Sequence, residues 1–228
     1  MISFDQFKRS ISVSPQDICR DVLCKNREAI KVKNEEVAVK NLMRIFEATL
    51  ELSNQIGFQS MSVRDLSKRT ALSMGALYSY VESKERLLCM LLQFGGALGE
   101  LARKHTEDDS NSALDHLSVI IARHIYLSEI YHPWFLFIFM EAKFLNKKAN
   151  TRILQEEEAN ESYCRQLLEA GCQSGVMTME NPVLIASTIN ALLQDWYLKR
   201  EKYRTQKVNS EQYAEFVCGL VNALVNKD

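Results

Sequence analysis

Between Met74 and Glu85 the chain reads MGALYSYVESKE. Two tyrosine hydroxyls, on Tyr78 and Tyr80, can donate to or accept from phosphate oxygens and base edges. Lys84 follows Ser83 at what reads as a helix start. An ammonium there opposes the helix macrodipole at a cost of about 0.3–1 kcal/mol. A phosphate docked at that end would meet both the ammonium and the free amide N–H groups of the first turn, and the cost would become a gain. Taken alone, Lys84 has a plainer explanation, a solvated lysine whose penalty is largely offset by Glu85. The residues before it argue otherwise. Met74, Gly75, Ala76, Tyr78 and Ser79 form the outward face of a short helix, and small residues let a helix sit deep in a DNA major groove.

Other chemistry is poorly supported. His116, His124 and His132 recur every eight residues, too far apart for paired i,i+4 metal ligation. The run Glu156–Glu158 points three ways around a helix. Nucleophile–base motifs, P-loops and dinucleotide fingerprints do not occur, so neither an enzyme, a metal site nor a cofactor is expected. Six cysteines (Cys19, Cys24, Cys89, Cys164, Cys172 and Cys218) are scattered without a CxxC, and read as reduced thiols packed as small hydrophobes.

The elements that must position these residues are helices. The 228 residues hold only 3 Pro and 8 Gly, with 46% hydrophobic content, which suits long helices around a sizeable core. No alternating strand pattern, hairpin signal or internal repeat appears, so the fold class is all-α. Ser14, Pro15 and Asp17 signal a short helix inside an otherwise irregular segment from 1 to 33. Asn34 caps a long helix with Ala38, Leu42, Ile45, Phe46, Thr49, Leu52 and Ile56 at helical spacing, closed by Gly57. Ser62 and Asp65 make a capping box before VRDLSKRT. ALS then leads to MGALYSYV, and Ser83 caps a longer helix reaching about Lys104. Two helices of about eight residues joined by three are stable only when packed steeply on a third, the helix-turn-helix arrangement. Further helices are expected at about 110–131, 133–146, 149–174, 182–205 and 210–226.

Charge and hydropathy agree with this picture. The net charge of −1 hides 16 Lys+Arg against 12 Asp+Glu up to Lys104, and 12 against 17 after it. A polyanion would meet the first half. The most apolar run, Trp134–Met140, is too short to span a bilayer, and the N-terminus lacks an apolar signal core. A cytoplasmic location is expected.

The stretch FQSMSVRDLSKRTALSMGALYSYVESKERLL resembles the DNA-binding region of TetR/AcrR-family transcriptional regulators, over about Val37 to Leu92. The resemblance implies an N-terminal three-helix DNA-binding domain (34–83) after the extension at 1–33. A C-terminal helical domain for effector binding and dimerisation (84–228) would follow. It implies that Ser62 and Arg64 lie at the DNA, with Arg64 contacting a phosphate or a base. Ser73, Met74, Gly75, Ala76, Tyr78 and Ser79 would form the recognition face, and Tyr80 and Lys84 would clamp backbone phosphates. One departure is Ala71, where the family often has Gly. A left-handed backbone there would cost roughly 1 kcal/mol. The face also lacks Arg, Lys, Asn or Gln for bidentate base contacts, leaving Arg64 as the candidate reader.

One small helix-turn-helix reads few bases, so a symmetric homodimer on a palindromic operator in double-stranded DNA is expected. Leu192 with Tyr213, Phe216, Val217, Leu220 and Leu224 are the expected dimer contacts, in an intersubunit four-helix bundle. Trp134, Phe137, Ile138, Glu141, Tyr163, Leu167, Ile189, Leu193 and Trp196 are the expected effector pocket. So many large apolar residues suggest an apolar or fatty acyl effector. Lys199, Arg200, Lys202 and Arg204 could hold an anionic headgroup, or form a solvated helix end. The expected function is a repressor whose operator binding responds to that effector. The alternative is an effector-independent architectural or partner-binding DNA protein.

Overall fold

A computed structural model describes residues 2–103, 112–142 and 147–226, with side chains described outside 142–157. Twelve helices and no strand occur among the described residues: α1 (Phe4–Ser10), α2 (Pro15–Lys25), α3 (Glu35–Ile56), α4 (Val63–Thr70), α5 (Met74–Tyr78), α6 (Lys84–Arg103), α7 (Ala113–Ile130), α8 (His132–Ala142), α9 (Lys147–Gln173), α10 (Pro182–Leu198), α11 (Arg200–Thr205) and α12 (Ser210–Val225). The all-α expectation holds. The helix limits expected at 110 and 146 lie outside the described residues, as do the side chains of Glu156 and Glu157. None of the described helices is long and apolar enough to cross a membrane.

The caps explain where the helices begin. Ser14–Asp17 and Ser62–Asp65 are reciprocal capping boxes at α2 and α4, and Asn34 accepts from the Val37 amide at α3. Ser83 Oγ accepts from the Arg86 amide at 3.2 Å, at the start of α6. Gly57 closes α3 at φ 80°, ψ 143°, a backbone region that a Cβ disfavours.

The chain forms two units. One comprises residues 11–97 and 133–150; the other comprises 1–10, 98–132 and 151–228. The boundary after residue 97 falls inside α6.

In the unit of 11–97 and 133–150, α3 is the central helix. Its Leu42, Ile45 and Phe46 are buried, as are Leu66 of α4 and Leu77 of α5. Trp134 of α8 stacks on Phe94 at 3.8 Å between centroids, and Phe46 stands edge-on to both rings. Truncating a buried aromatic of this kind costs about 3–5 kcal/mol. Gly95 lets α8 come close: a Cβ there would stand 2.1 Å from Ile138 Cδ1.

In the other unit, α12 turns Tyr213, Val217 and Val221 into the chain's own core, with Leu117, Ile121 and Ile125 of α7 and Ile189 and Leu193 of α10. Trp196 packs on Tyr213 at 4.9 Å and on Tyr203 at 5.2 Å. The single helix expected over 182–205 is broken at Lys199, whose φ is −114°. The first helix, α1, was not signalled by periodicity. Phe4 and Phe7 hold it against Tyr126, at 5.4 and 5.5 Å.

Cys19, Cys164 and Cys218 are buried free thiols. Burial pushes them up to about 12, 12 and 11, which keeps them protonated and unreactive.

Candidate nucleic-acid interface

The two short helices set out the site. At α4, Ser62 Oγ accepts from the Asp65 amide at 3.2 Å, and Asp65 Oδ2 accepts from the Ser62 amide at 2.9 Å. Hydrogen bonds from the Ser62 hydroxyl and then its amide hold the Asp65 carboxyl below its usual range. The Ser62 side chain therefore serves the helix cap. Arg64, one turn-position into α4, is exposed and makes no ion pair among the described residues. Arg69 differs, since its guanidinium is held by Glu51.

The turn after α4 passes through Ala71 at φ 49°, ψ 30°, a left-handed conformation. Ser67 Oγ donates to the Leu72 carbonyl at 2.6 Å and closes it. Ser73 then caps α5, accepting from the Ala76 amide at 3.2 Å. Leu77 points inward with 1% exposure. Gly75 and Tyr78 point outward, Tyr78 with 45% exposure, and nothing lies within 4 Å of where a Gly75 Cβ would be. Met74, Ala76 and Ser79 are half-buried. Ser79 Oγ donates to the Ala76 carbonyl at 2.6 Å.

Tyr80 departs from its expected role. It is 3% exposed, and its hydroxyl accepts from Asn41 Nδ2 at 2.8 Å. Tyr78 and Tyr80 are two positions apart, which on a helical path turns them to different sides. Tyr80 packs the short helix onto α3 and drops out of the contact set.

Lys84 Nζ donates to the Gln59 carbonyl at 2.9 Å and lies 5.1 Å above the Phe58 ring. These two contacts offset the unfavourable dipole. They also fix the ammonium, with two of its three protons still to place. Phe58 is itself held edge-on by Phe137 at 5.6 Å, and its amide faces Glu141 Oε1 at 3.4 Å.

The expected effector residues are divided between the two units. Trp134, Phe137 and Glu141 are buried, and Ile138 half-buried, in the unit that carries α3, α4 and α5. Tyr163 and Leu167 are half-buried in the other unit, where Ile189, Leu193 and Trp196 are buried. The cations proposed for a headgroup are engaged. Lys199 pairs with Asp195, Arg200 with Glu129 and Arg204 with Glu201, while Lys202 lies over Tyr203.

The expected dimer residues also divide. Tyr213 and Val217 are 4% and 0% exposed, inside their own chain, and Leu192 is half-buried. Phe216, Leu220 and Leu224 are 62%, 36% and 39% exposed. On α10, Val183 and Leu184 are exposed as well. Tyr213 and Val217 are thus corrected to core, because the α12 stripe is two rows and only the outer one is open.

Residues 45–89, which contain α4, α5 and the start of α6, match the family model described as bacterial regulatory proteins, tetR family. Over this helix-turn-helix segment the chain is similar to the tetR family. A fatty acid metabolism regulator protein of Bacillus subtilis (strain 168) is a relative, 22% identical over 187 residues, which are 79% of this chain and 95% of the relative. A crystal structure of a tetR-family regulatory protein from Rhodococcus RHA1 has the same fold, with TM-score 0.73 and 18% identity over 83% of this chain and 99% of that one. AibR, solved in complex with isovaleryl coenzyme A and operator DNA, superposes with TM-score 0.65 and 18% identity, over 79% and 97%. The match supports reading the chain as a DNA-binding transcriptional regulator.

Proposed function

We propose that this regulator binds a palindromic operator as a homodimer, represses transcription there, and is released by an acyl-type effector. The observation that carries the DNA half is the outer face of α5. It is open at Gly75 and Tyr78 and flanked by Arg64, which makes no ion pair among the described residues, and by a fixed Lys84. Ser73, Met74, Ala76 and Ser79 complete the proposed face, with Arg64 reading a base or phosphate and Lys84 holding the backbone.

The dimer is supported by the outer row Phe216, Leu220 and Leu224, beside Gly219 and Ala223, with exposed Leu184 on α10. Small residues between large ones let two helices approach closely, and a twofold copy would cover the row with itself. Phe216→Asp places a charge in that seam. Analytical ultracentrifugation should then show monomers, and an unchanged sedimentation coefficient would refute the assignment.

The effector reading rests on the relatives, one a fatty acid metabolism regulator and one bound to an acyl coenzyme A. It places the ligand near Tyr163, Leu167, Ile189 and Leu193. Operator DNA is titrated by fluorescence anisotropy with and without isovaleryl and stearoyl coenzyme A. A tenfold weakening corresponds to about 1.4 kcal/mol of differential affinity between the two states. Curves that superpose for every acyl chain length would favour the effector-independent alternative. That alternative draws support from Trp134 and Phe137, whose rings are already occupied by Phe94 and Phe58.

A further inference from the structure

The extension before α3 has no part in the helix-turn-helix, yet it is built into the same unit. Ile18, Cys19, Val22 and Leu23 of α2 are buried there. Arg20 ties α2 to α3 through Glu35 at 2.9 Å and Glu36 at 3.2 Å. Asn26 ends α2 and donates through Nδ2 to the Val22 carbonyl at 2.7 Å and to Gln93 Oε1 at 2.6 Å. Ile30 is 3% exposed and anchors the stretch that follows.

That stretch has a fixed shape. The Arg27 guanidinium forks onto two successive carbonyls, Val32 at 2.6 Å and Lys33 at 3.1 Å. The backbone amide of Lys31 donates to the carbonyl of Ser79 at 2.9 Å. Ser79 is the C-cap of α5. The extension is therefore hydrogen-bonded to the end of the recognition helix.

Its charge is one-sided. Residues 27–33 carry Arg27, Lys31 and Lys33 against Glu28 alone. Lys31 and Lys33 are exposed and make no ion pair among the described residues. Nearby Glu35 and Glu36 are already held by Arg20. Two uncompensated ammonium groups on a braced loop, adjoining the proposed major-groove face, match a phosphodiester backbone.

We infer that residues 27–33 form an added DNA-backbone contact, in which Lys31 and Lys33 each engage a phosphate flanking the bases under α5. This rests on the regulator reading above. It extends the footprint without adding base readout, since phosphate contacts carry register and affinity, not sequence.

The test uses the full chain and a random-sequence duplex of about three helical turns. Affinity is measured between about 50 and 200 mM salt. Replacing both lysines, Lys31→Gln with Lys33→Gln, should lower the slope of log affinity against log salt by about 2, at roughly 0.9 per phosphate. Affinity at 0.1 M salt should fall about eightfold per lost contact by the same relation. Lys25→Gln is the control, because Lys25 is exposed on α2 and already paired with Asp21 at 2.7 Å; its slope should match the wild type. The charge-preserving pair Lys31→Arg with Lys33→Arg should restore the slope. A double glutamine variant with wild-type slope and melting temperature overturns this inference and leaves the regulator reading intact, as does an arginine pair that fails to restore it. A wild-type chain that shows no salt-dependent duplex binding overturns the regulator reading itself.

Discussion

Replacing Ala71 by Gly probes the turn between α4 and α5. Ala71 sits at φ 49°, ψ 30°, and a left-handed backbone costs an L-residue roughly 1–2 kcal/mol. The side chain is exposed, so removing its methyl forfeits little packing. Glycine gives back part of the gain, because its greater freedom in the unfolded chain costs about 0.4–1 kcal/mol. The difference is a net stabilisation centred on about 0.8 kcal/mol and reaching at most about 1.6 kcal/mol. For a chain of this size that raises Tm by about 1–4 °C. Urea unfolding followed by circular dichroism should show a higher midpoint with an unchanged m value. Duplex affinity should be the same or tighter, since the turn keeps its geometry. Gly57 supplies the opposite sign. At φ 80°, ψ 143°, Gly57→Ala should destabilise by about 1–3 kcal/mol. An Ala71→Gly variant that unfolds at lower urea, or a neutral Gly57→Ala, would refute the strain argument at both turns.

Three further outcomes are expected. Arg64→Ala should relax sequence preference, costing about 1–3 kcal/mol on an operator and less on random DNA; equal losses on both would remove its reading role. Gly75→Ala has open space around it and should raise helix stability by up to about 1 kcal/mol while weakening duplex binding, because the new methyl stands where the groove approaches; a gain in both would place the groove elsewhere. His124 is buried, and burial, aided by the Arg103 charge, pulls it down to about 4 from 6.5. The folded state therefore prefers the neutral ring, its contribution is complete above pH 6.5, and it is lost as pH falls toward 4, at up to about 1.4 kcal/mol per unit. Thermal melts from pH 7 to 4 should be flatter for His124→Gln than for the wild type.

Which features could be read in advance follows from how local their causes are. The limits of α3 and α4 were legible because Asn34, Gly57, Ser62 and Asp65 act within one turn of themselves. The left-handed turn at Ala71 was legible through the family resemblance. Helix α1 was not, because seven residues have no period of their own and depend on Tyr126, more than a hundred positions away. The burial of Tyr80 depends on Asn41, which no motif marks. On α12, Tyr213 and Val217 lie about one residue's turn from Phe216 and Leu220. Both rows look apolar, and only α7 and α10 decide which is covered. The apolar run of α8 carries no stripe at all, so nothing in it announced that Trp134 and Phe137 would pack on Phe94 and Phe58.

The missing side chain at Gly95 acts as a spacer of zero thickness. A methyl group there can be admitted only if Ile138 swings its terminal carbons aside, since Cδ1 would stand at 2.1 Å and Cγ1 at 3.2 Å. A branched residue has no such escape and would act as a wedge, prising α8 from α6 beside the Trp134–Phe94 stack. A genetic screen for variants with altered duplex binding should accordingly recover valine at this codon.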